Sequence, residues 1–512
     1  MATNRREFIT ARGTVAAAST TRHGLAAATA QERSRRATSV PADLCFTSAR
    51  ELCAMIRARK VTAREVMAAH LGQIGRVNPK LNAIVAKLPD ERCLALADEA
   101  DRRLAKGETV GPLHGLPWAF KDLEASIGFP FTSGSTINKD LMPSEDGVLV
   151  ARLRSAGVIP IGKTNVPEFG MGSHTYNRVY GTTLNPYDLS KSAGGSSGGA
   201  GAALAAGLLP LADGSDLGGS LRNPGNFNNI VGFRPTVGLV PVAPTPLPFV
   251  GFSVKGPLGR SVADVAFLLS VLAGSDPRDP GCYPSSPAAF ASPLDRHLKG
   301  TRVAWCLDLG GLPLDRRVRT VLEGHRKTFE NLGCIVEDAC PDLAGVDDVF
   351  VTIRRWKSWV THGSLLEAHR EQLKPEALSE IEAGAAVSAR DLTRAMVQHG
   401  QLLDRMRRFQ ETHEFIVCAV NQVPPFDAKL DWPHEIEGVK MATYIDWMKS
   451  AYQITPTFCP AISVPAGFTA EGLPVGIQIV GRYRDDFGVL QMAYAFEQAT
   501  GVGRKRPAVA LV

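Results

Sequence analysis

No run of about 18 consecutive apolar residues occurs anywhere in the 512-residue chain, so no segment qualifies as a membrane-spanning helix. Excess charge is also scarce. The 57 basic and 51 acidic residues leave a net charge of +6, and the basic residues are scattered through helical patterns, which excludes a nucleic-acid-binding stripe. The nine cysteines (Cys45, Cys53, Cys93, Cys282, Cys306, Cys334, Cys340, Cys418 and Cys459) contain no C-x-x-C pair and are odd in number. Neither a disulfide framework nor a zinc site is indicated, and most read as small buried hydrophobes. The 11 histidines stand in no context that suggests a triad partner. No proline- or serine-rich linker and no fixed-period repeat divides the chain. Its 44% hydrophobic and 21% charged residues are those of an ordinary globular protein.

The first residues stand apart. "TNRREFIT" carries Arg5-Arg6 ahead of Phe8-Ile9 and resembles a twin-arginine export signal. A mildly apolar "GTVAAAST" follows, and "ATA" at 28–30 offers a small-residue cleavage site, so the mature chain would begin near Gln31. The expectation is a periplasmic or exported protein, the alternative a cytoplasmic one with a basic tail. Residues 1–38 are therefore set aside as signal or tail, and 39–512 as the folded domain.

Helical periodicity begins in "FTSARELCAMIRARK", with Leu52, Met55 and Ile56 on one face, and continues in "TAREVMAAHLGQIGRVN" through Val66, Leu71 and Ile74. Ser48 and Thr62 are candidate N-caps, each followed three residues later by a glutamate. "DERCLALADEADRRLAKG" predicts a third helix ending at Gly107, and "VRTVLEGHRKTFENLG" another closed by Gly333. A buried strand is expected in "LHGLPWAFKD" and further strands in "VIPIGKTN", "TRVAWCLDLG", "CIVEDA", "FIVCAV", "AISVPAG" and "PVGIQIVG". Strands alternating with helices predict an α/β fold with helices covering a sheet.

Between Gly194 and Gly238 stand 12 glycines in 45 residues, where average usage gives about three. A flexible linker does not continue into an apolar run such as "AALAAGLLPLADGSD". A Walker loop requires a lysine after its glycines, and none is there. "GSSGG" satisfies the nucleophile-elbow pattern with Ser197 at its centre, but any serine–glycine run does so, and no acid and histidine follow in suggestive positions. "DGSDLGGSLRNPG" is more pointed. Two glycines before Ser220 let consecutive backbone N–H groups converge on one point, an oxyanion hole beside its own nucleophile. Without a histidine the base for such a serine is a desolvated lysine, and Lys121 at the end of "GLPWAF" is placed for it. A lysine closing a buried strand more commonly reaches solvent, so the residues alone leave both readings open.

Taken together, "GLPWAFKD", "AGGSSGGAGAALAAG" and "GSDLGGSLRNP…VGFRPTVG" resemble the amidase signature family, and "PAISVPAGF…LPVGIQIVG" is similar to its C-terminal end. The likeness spans roughly residues 45–505. It implies a single large α/β domain with a mixed central sheet flanked by helices, and a Ser–Ser–Lys triad that hydrolyses non-peptide carboxamides through an acyl-enzyme. Lys121 would be the base, Ser196 the bridging serine on a cis peptide, Ser220 the nucleophile, and the N–H groups of Leu217, Gly218, Gly219 and Ser220 the oxyanion hole. Ser197 would support the turn by hydrogen bonding. Such a base needs its pKa brought from about 10.4 to near neutrality, with burial behind Trp118 and Phe120 as the means. Leu217, where the family has Thr or Ile, and "NPGNFNN", where small apolar residues are usual, depart from the pattern and bear on substrate fit. No cofactor or metal is implied. The partner is a small-molecule amide, with no nucleic acid and, as one option, a second copy in a homodimer. One rival is the transamidase component of a tRNA-dependent amidotransferase, whose "SRYDGxRYG"-like stretch is replaced here by "EAGAAVSARDLTRAM". The other is an inactive binding protein on the same fold. Trp356, Trp359, Trp432, Tyr444 and Trp447 either line an acyl pocket or fill a helical core.

Overall fold

Capping chemistry and apolar periodicity coincide at the start of the fold. Helix α1 (Ala49–Arg57) begins after Ser48, whose hydroxyl accepts the Glu51 N–H at 3.2 Å. Helix α2 (Ala63–Leu81) opens with a reciprocal capping box between Thr62 and Glu65 and buries Val66, Leu71, Ile74 and Val77. The computed structural model describes residues 43–511, so the export signal expected in residues 1–38 lies outside the described residues.

Two sheets form the framework. Strands β1 (Ile84–Val85), β2 (Pro117–Lys121) and β3 (Ile159–Thr164) make a small sheet in the order β1-β3-β2, with β2 and β3 parallel. The large sheet contains β4 (Leu211–Asp216), β5 (Val231–Arg234), β6 (Val254–Gly259), β7 (Arg302–Trp305), β8 (Ile335–Asp338), β9 (Phe415–Ala419), β10 (Ala461–Phe468) and β11 (Pro474–Val480). Its order is β8-β7-β9-β11-β10-β5-β6-β4. β7 pairs in parallel with both β8 and β9, and the remaining pairings are antiparallel. The mixed sheet flanked by helices matches the expected fold class, and each strand read from the sequence is found.

One carboxylate helps to tie the two sheets together. Asp213 on β4 accepts the Trp118 Nε1–H at 2.8 Å and the Lys121 backbone N–H at 3.1 Å, so β2 docks on β4 through a side chain rather than a ladder. Behind this junction lies helix α3 (Gly198–Ala205), in which every residue is buried. Its glycines and alanines let neighbouring backbone come close on all sides, which a chain of larger residues would prevent.

Two expectations need correction. The helix read as continuous to Gly333 is broken into Arg316–Glu323 and Arg326–Asn331. Gly324 is a poor helix former at the break, and His325 there bonds through Nε2 to the Ala466 carbonyl of β10. The cysteines do not all stay reduced: Cys306, just after β7, is joined to Cys340, just after β8. Two parallel neighbouring strands bring these Cα atoms within 5.2 Å, a proximity that spacing in the sequence does not reveal. Six of the other seven cysteines are buried. Among the described residues, no helix is long and apolar enough to cross a membrane. Thiol titration of the unfolded, unreduced protein should therefore find seven thiols; nine would contradict the Cys306–Cys340 bond.

Candidate active site

Every residue of β2 is buried, and the strand delivers Lys121 into the protein rather than to solvent. Its Nζ lies 2.9 Å from Ser196 Oγ, 2.7 Å from Ser197 Oγ and 3.0 Å from Ser215 Oγ, with the Ser215 carbonyl at 3.4 Å. All are neutral oxygens, and among the described residues no carboxylate makes a hydrogen bond or ion pair with this amine. A buried ammonium without a counter-ion is disfavoured relative to the amine. Burial, followed by the charge of Lys255, lowers the Lys121 pKa to about 7, against the opposing pull of Glu124, Asp213 and Asp216. Trp118 and Phe120 are fully buried in the same strand, but at positions that alternate with Lys121, so their rings project to the other face of β2 and are not the screen expected around the amine.

Ser196 sits on the turn that leads into α3, and the Gly195–Ser196 peptide is cis, as the resemblance implied. The Gly195 N–H donates to Asn223 Oδ1 at 2.9 Å. Gly194 has a φ of +73°, and Asn223 Oδ1 occupies the space where its Cβ would stand, so only glycine fits. Ser197 does more than support the turn, since it is the nearest oxygen to the Lys121 amine.

Ser220 lies at the end of β4, in the loop that leads to helix α4 (Arg222–Phe227). Asp216 organises this loop: it accepts the Gly219 N–H at 2.9 Å and the Leu221 N–H at 3.2 Å. It is paired with Arg222 at 3.0 Å and Arg234 at 3.1 Å, all three side chains being fully buried. Burial works against ionisation of Asp216, yet the two guanidinium groups hold its carboxyl well below the usual carboxylate range. Gly219 has a φ of +118°, and a Cβ there would stand 2.6 Å from Ala451 Cβ. The Gly219 N–H is thus committed to Asp216. The N–H groups of Leu217, Gly218 and Ser220 have no acceptor within the chain among the described residues. Of the donors implied by the resemblance, Gly219 is withdrawn and the other three stay available.

Ser196, Ser215 and Ser220 open on one cleft of about 310 Å³, together with Leu217 and Gly218. Among the described residues no hydrogen bond joins Ser196 to Ser220, although both line the cleft. Phe131, Phe169, Met171, Ile445 and Met448 supply apolar wall. None of the five aromatics from residues 356–447 singled out in the sequence lines it. Trp447 is core, packed against Phe227 and Phe426, Tyr444 is bonded to Arg354, and Trp359 is 40% exposed. A larger cavity of about 860 Å³, beside Met406, Gln410, Cys459 and Arg482, contains none of these serines. Sequence reasoning missed Ser215, Asp213, Asp216 and Lys255. Strand alternation in "LADGSD" offered a signal for Asp213 and Ser215, which share a face of β4.

A fully buried lysine partnered only by neutral oxygens, in a mixed α/β sheet and beside a serine among unpaired N–H groups, is an arrangement suited to acyl transfer. Comparison with known proteins narrows it. The amidase family profile matches residues 65–490. An acylamidase of Rhodococcus erythropolis is 35% identical over 473 residues, covering 92% of this chain and 99% of its own. The A component of a glutamyl-tRNA(Gln) amidotransferase from Synechococcus sp. is 33% identical, over 89% of this chain and 97% of its own. The crystal structure of a bacterial aryl acylamidase of the amidase signature family superposes with a TM-score of 0.84 at 27% identity, over 90% of this chain and 99% of that one. The chain belongs to the amidase signature family and is an amide-hydrolysing enzyme.

The Asp216 knot makes a stability prediction. Asp216→Ala leaves Arg222 and Arg234 buried without their carboxylate and should cost about 3–5 kcal/mol in denaturant unfolding. A loss below about 1 kcal/mol would show that the knot does not hold the loop.

Proposed function

We propose that Lys121, Ser196 and Ser220 form a proton relay that cleaves carboxamides through an acyl-enzyme. The neutral Lys121 amine takes the Ser196 hydroxyl proton as Ser196 takes that of Ser220. Ser220 Oγ then bonds to the amide carbonyl carbon, and the N–H groups of Leu217, Gly218 and Ser220 hold the oxygen that becomes negative. Collapse breaks the carbon–nitrogen bond, with the relay proton returning through Ser196 to the departing amine or ammonia. Water then adds to the Ser220 ester by the same relay and releases the carboxylate. The observation that carries this reading is the Lys121 Nζ–Ser196 Oγ distance of 2.9 Å in a fully buried site without a counter-ion. The substrate class is the non-peptide carboxamide, in keeping with the relatives named acylamidases.

The transamidase component of a tRNA-dependent amidotransferase is the second reading, favoured by 33% identity over most of the chain. In the reading preferred here the chain, as monomer or homodimer, hydrolyses a simple amide or anilide without ATP, tRNA or partner chains. Activity only in the presence of partner chains and tRNA would decide for the other. Export through the Arg5-Arg6 segment is part of the proposal, and the Cys306–Cys340 bond supports it because disulfides persist in oxidising compartments. Changing both arginines to lysine should keep the protein in the cytoplasm, and a native chain recovered with residues 1–30 intact would oppose the export reading.

A fluorophosphonate should label Ser220, and Ser220→Ala should lower kcat/KM by at least about 10⁴-fold. Labelling at Ser197 instead would restore the nucleophile-elbow reading. The acidic limb of kcat/KM should fall near pH 7, because protonation of Lys121 below its pKa removes the base. Lys255→Met removes the neighbouring positive charge and frees Glu124, its ion-pair partner, to favour the ammonium. The limb should therefore move to higher pH; a shift to lower pH would contradict the assignment.

A further inference from the structure

The charges around the cleft do not balance. Three of its lining residues are Lys255, Arg354 and Lys357, while no aspartate or glutamate lines it among the described residues. Two of these cations have partners behind the wall. Lys255 is paired with Glu124, and Arg354 with Glu380 and the Tyr444 hydroxyl. Lys357 has neither an ion-pair partner nor a hydrogen-bond acceptor for its Nζ among the described residues. His362, one turn further along helix α5 (Val346–His362), does not add a competing charge. It lies with its ring 4.6 Å from that of Phe169, and burial, followed by the charge of Lys357, lowers its pKa to about 4.

Lys357 is also placed where a substrate must pass. Arg354, Lys357, Ser358 and Thr361 recur at helical spacing, so one face of α5 forms a side of the cleft that holds Ser220. Lys357 additionally lines an adjoining recess of about 220 Å³, which shares Val242, Thr245 and Ser253 with the cleft. On the cleft side Lys357 has apolar wall and hydroxyls. The adjoining recess is also lined by Arg484 and by Asp279, whose carboxylate accepts the Val242 and Gly281 N–H groups. A half-buried ammonium with no partner of its own is costly.

We propose, resting on the amide-hydrolase reading above, that Lys357 selects amides whose organic part carries a carboxylate, so that the preferred substrates are acidic amides rather than neutral ones. The carboxylate would take the ammonium as its partner inside the cleft while the amide carbonyl stands at Ser220. A charge-assisted hydrogen bond in such a place favours the bound acid by about tenfold or more over an uncharged analogue. Amides with a free amine at the same position would be repelled by Lys357 together with Lys255.

Matched substrate pairs test this. Monoamides of straight-chain dicarboxylic acids are compared with neutral amides of equal length, which places the acid on the acyl side. N-acetyl amino acids compared with their methyl esters place it on the amine side. The quantity read is the ratio of kcat/KM for the acid to that for its neutral match, in the wild type, Lys357→Met, Lys357→Arg and Lys357→Glu. The wild-type ratio should reach about ten or more for at least one pair, which also locates the acid. It should fall to about one in Lys357→Met, persist in Lys357→Arg, and drop below one in Lys357→Glu. Being internal to each variant, the ratio does not depend on how much of the protein folds. A wild-type ratio at or below one for every pair, or a preference that survives in Lys357→Met, overturns the inference while neutral amides are still hydrolysed. Hydrolysis of no amide, charged or neutral, would overturn the activity itself and this inference with it.

Discussion

The structure is organised around one lysine amine held inside the protein without a counter-ion in contact among the described residues. Lys121 is fully buried, its three nearest partners are serine hydroxyls, and among the described residues no carboxylate makes a hydrogen bond or ion pair with it. A carboxylate in contact would stabilise the ammonium and disable a base; water would do the same more weakly. The fold withholds both. Asp213, the acid that touches its strand, is turned to the Trp118 indole and the Lys121 backbone, so it fixes β2 without pairing with the lysine side chain. Burial, with Glu124 adding to it, raises the Asp213 pKa to about 6, and without a hydrogen bond to the amine its charge only partly opposes the lowering of the Lys121 pKa.

The opposite electrostatic solution stands at the end of the same strand. Asp216 is equally buried, yet two arginines keep it ionised, and it spends its oxygens on the backbone of the loop that carries Ser220. Neighbouring positions of β4 thus serve two ends. Residues 213 and 215 face the lysine, and 216 holds the loop that presents the serine. Strand alternation separates the two environments, and it explains how an arginine-paired aspartate and the partners of the lysine strand coexist within one hexapeptide.

Much of this was legible in the sequence. Ser220 stands out on a local feature, the two glycines before it, whereas Ser196 as the bridging serine and Lys121 as its base were singled out through the family resemblance; the strands from "TRVAWCLDLG" to "PVGIQIVG" were visible as apolar runs. What stayed hidden depends on register between distant segments. Lys255 acquires its influence on Lys121 because β6 pairs with β4 so that Lys255 stands opposite Ser215. Cys306 and Cys340 meet because β7 and β8 are parallel neighbours. The aromatics of residues 356–447 carry no mark that separates wall from core; Trp447 went to the core, while smaller residues such as Met171 and Ile445 line the cleft. The break at Gly324 follows from a bond to β10 that helical periodicity does not record.

The central claim is that Lys121 acts as a neutral base rather than as a fixed positive charge. The rate of Ser220 phosphonylation by a fluorophosphonate, followed against pH in the wild type and in Lys121→Arg, tests it most directly. Arginine keeps the charge and much of the bulk but cannot give up its proton in a protein. The account predicts a wild-type rate that rises with a single ionisation near pH 7 and falls by about 10²-fold or more in Lys121→Arg, with that ionisation gone. A reactive Lys121→Arg enzyme with the same rise near pH 7 would contradict it.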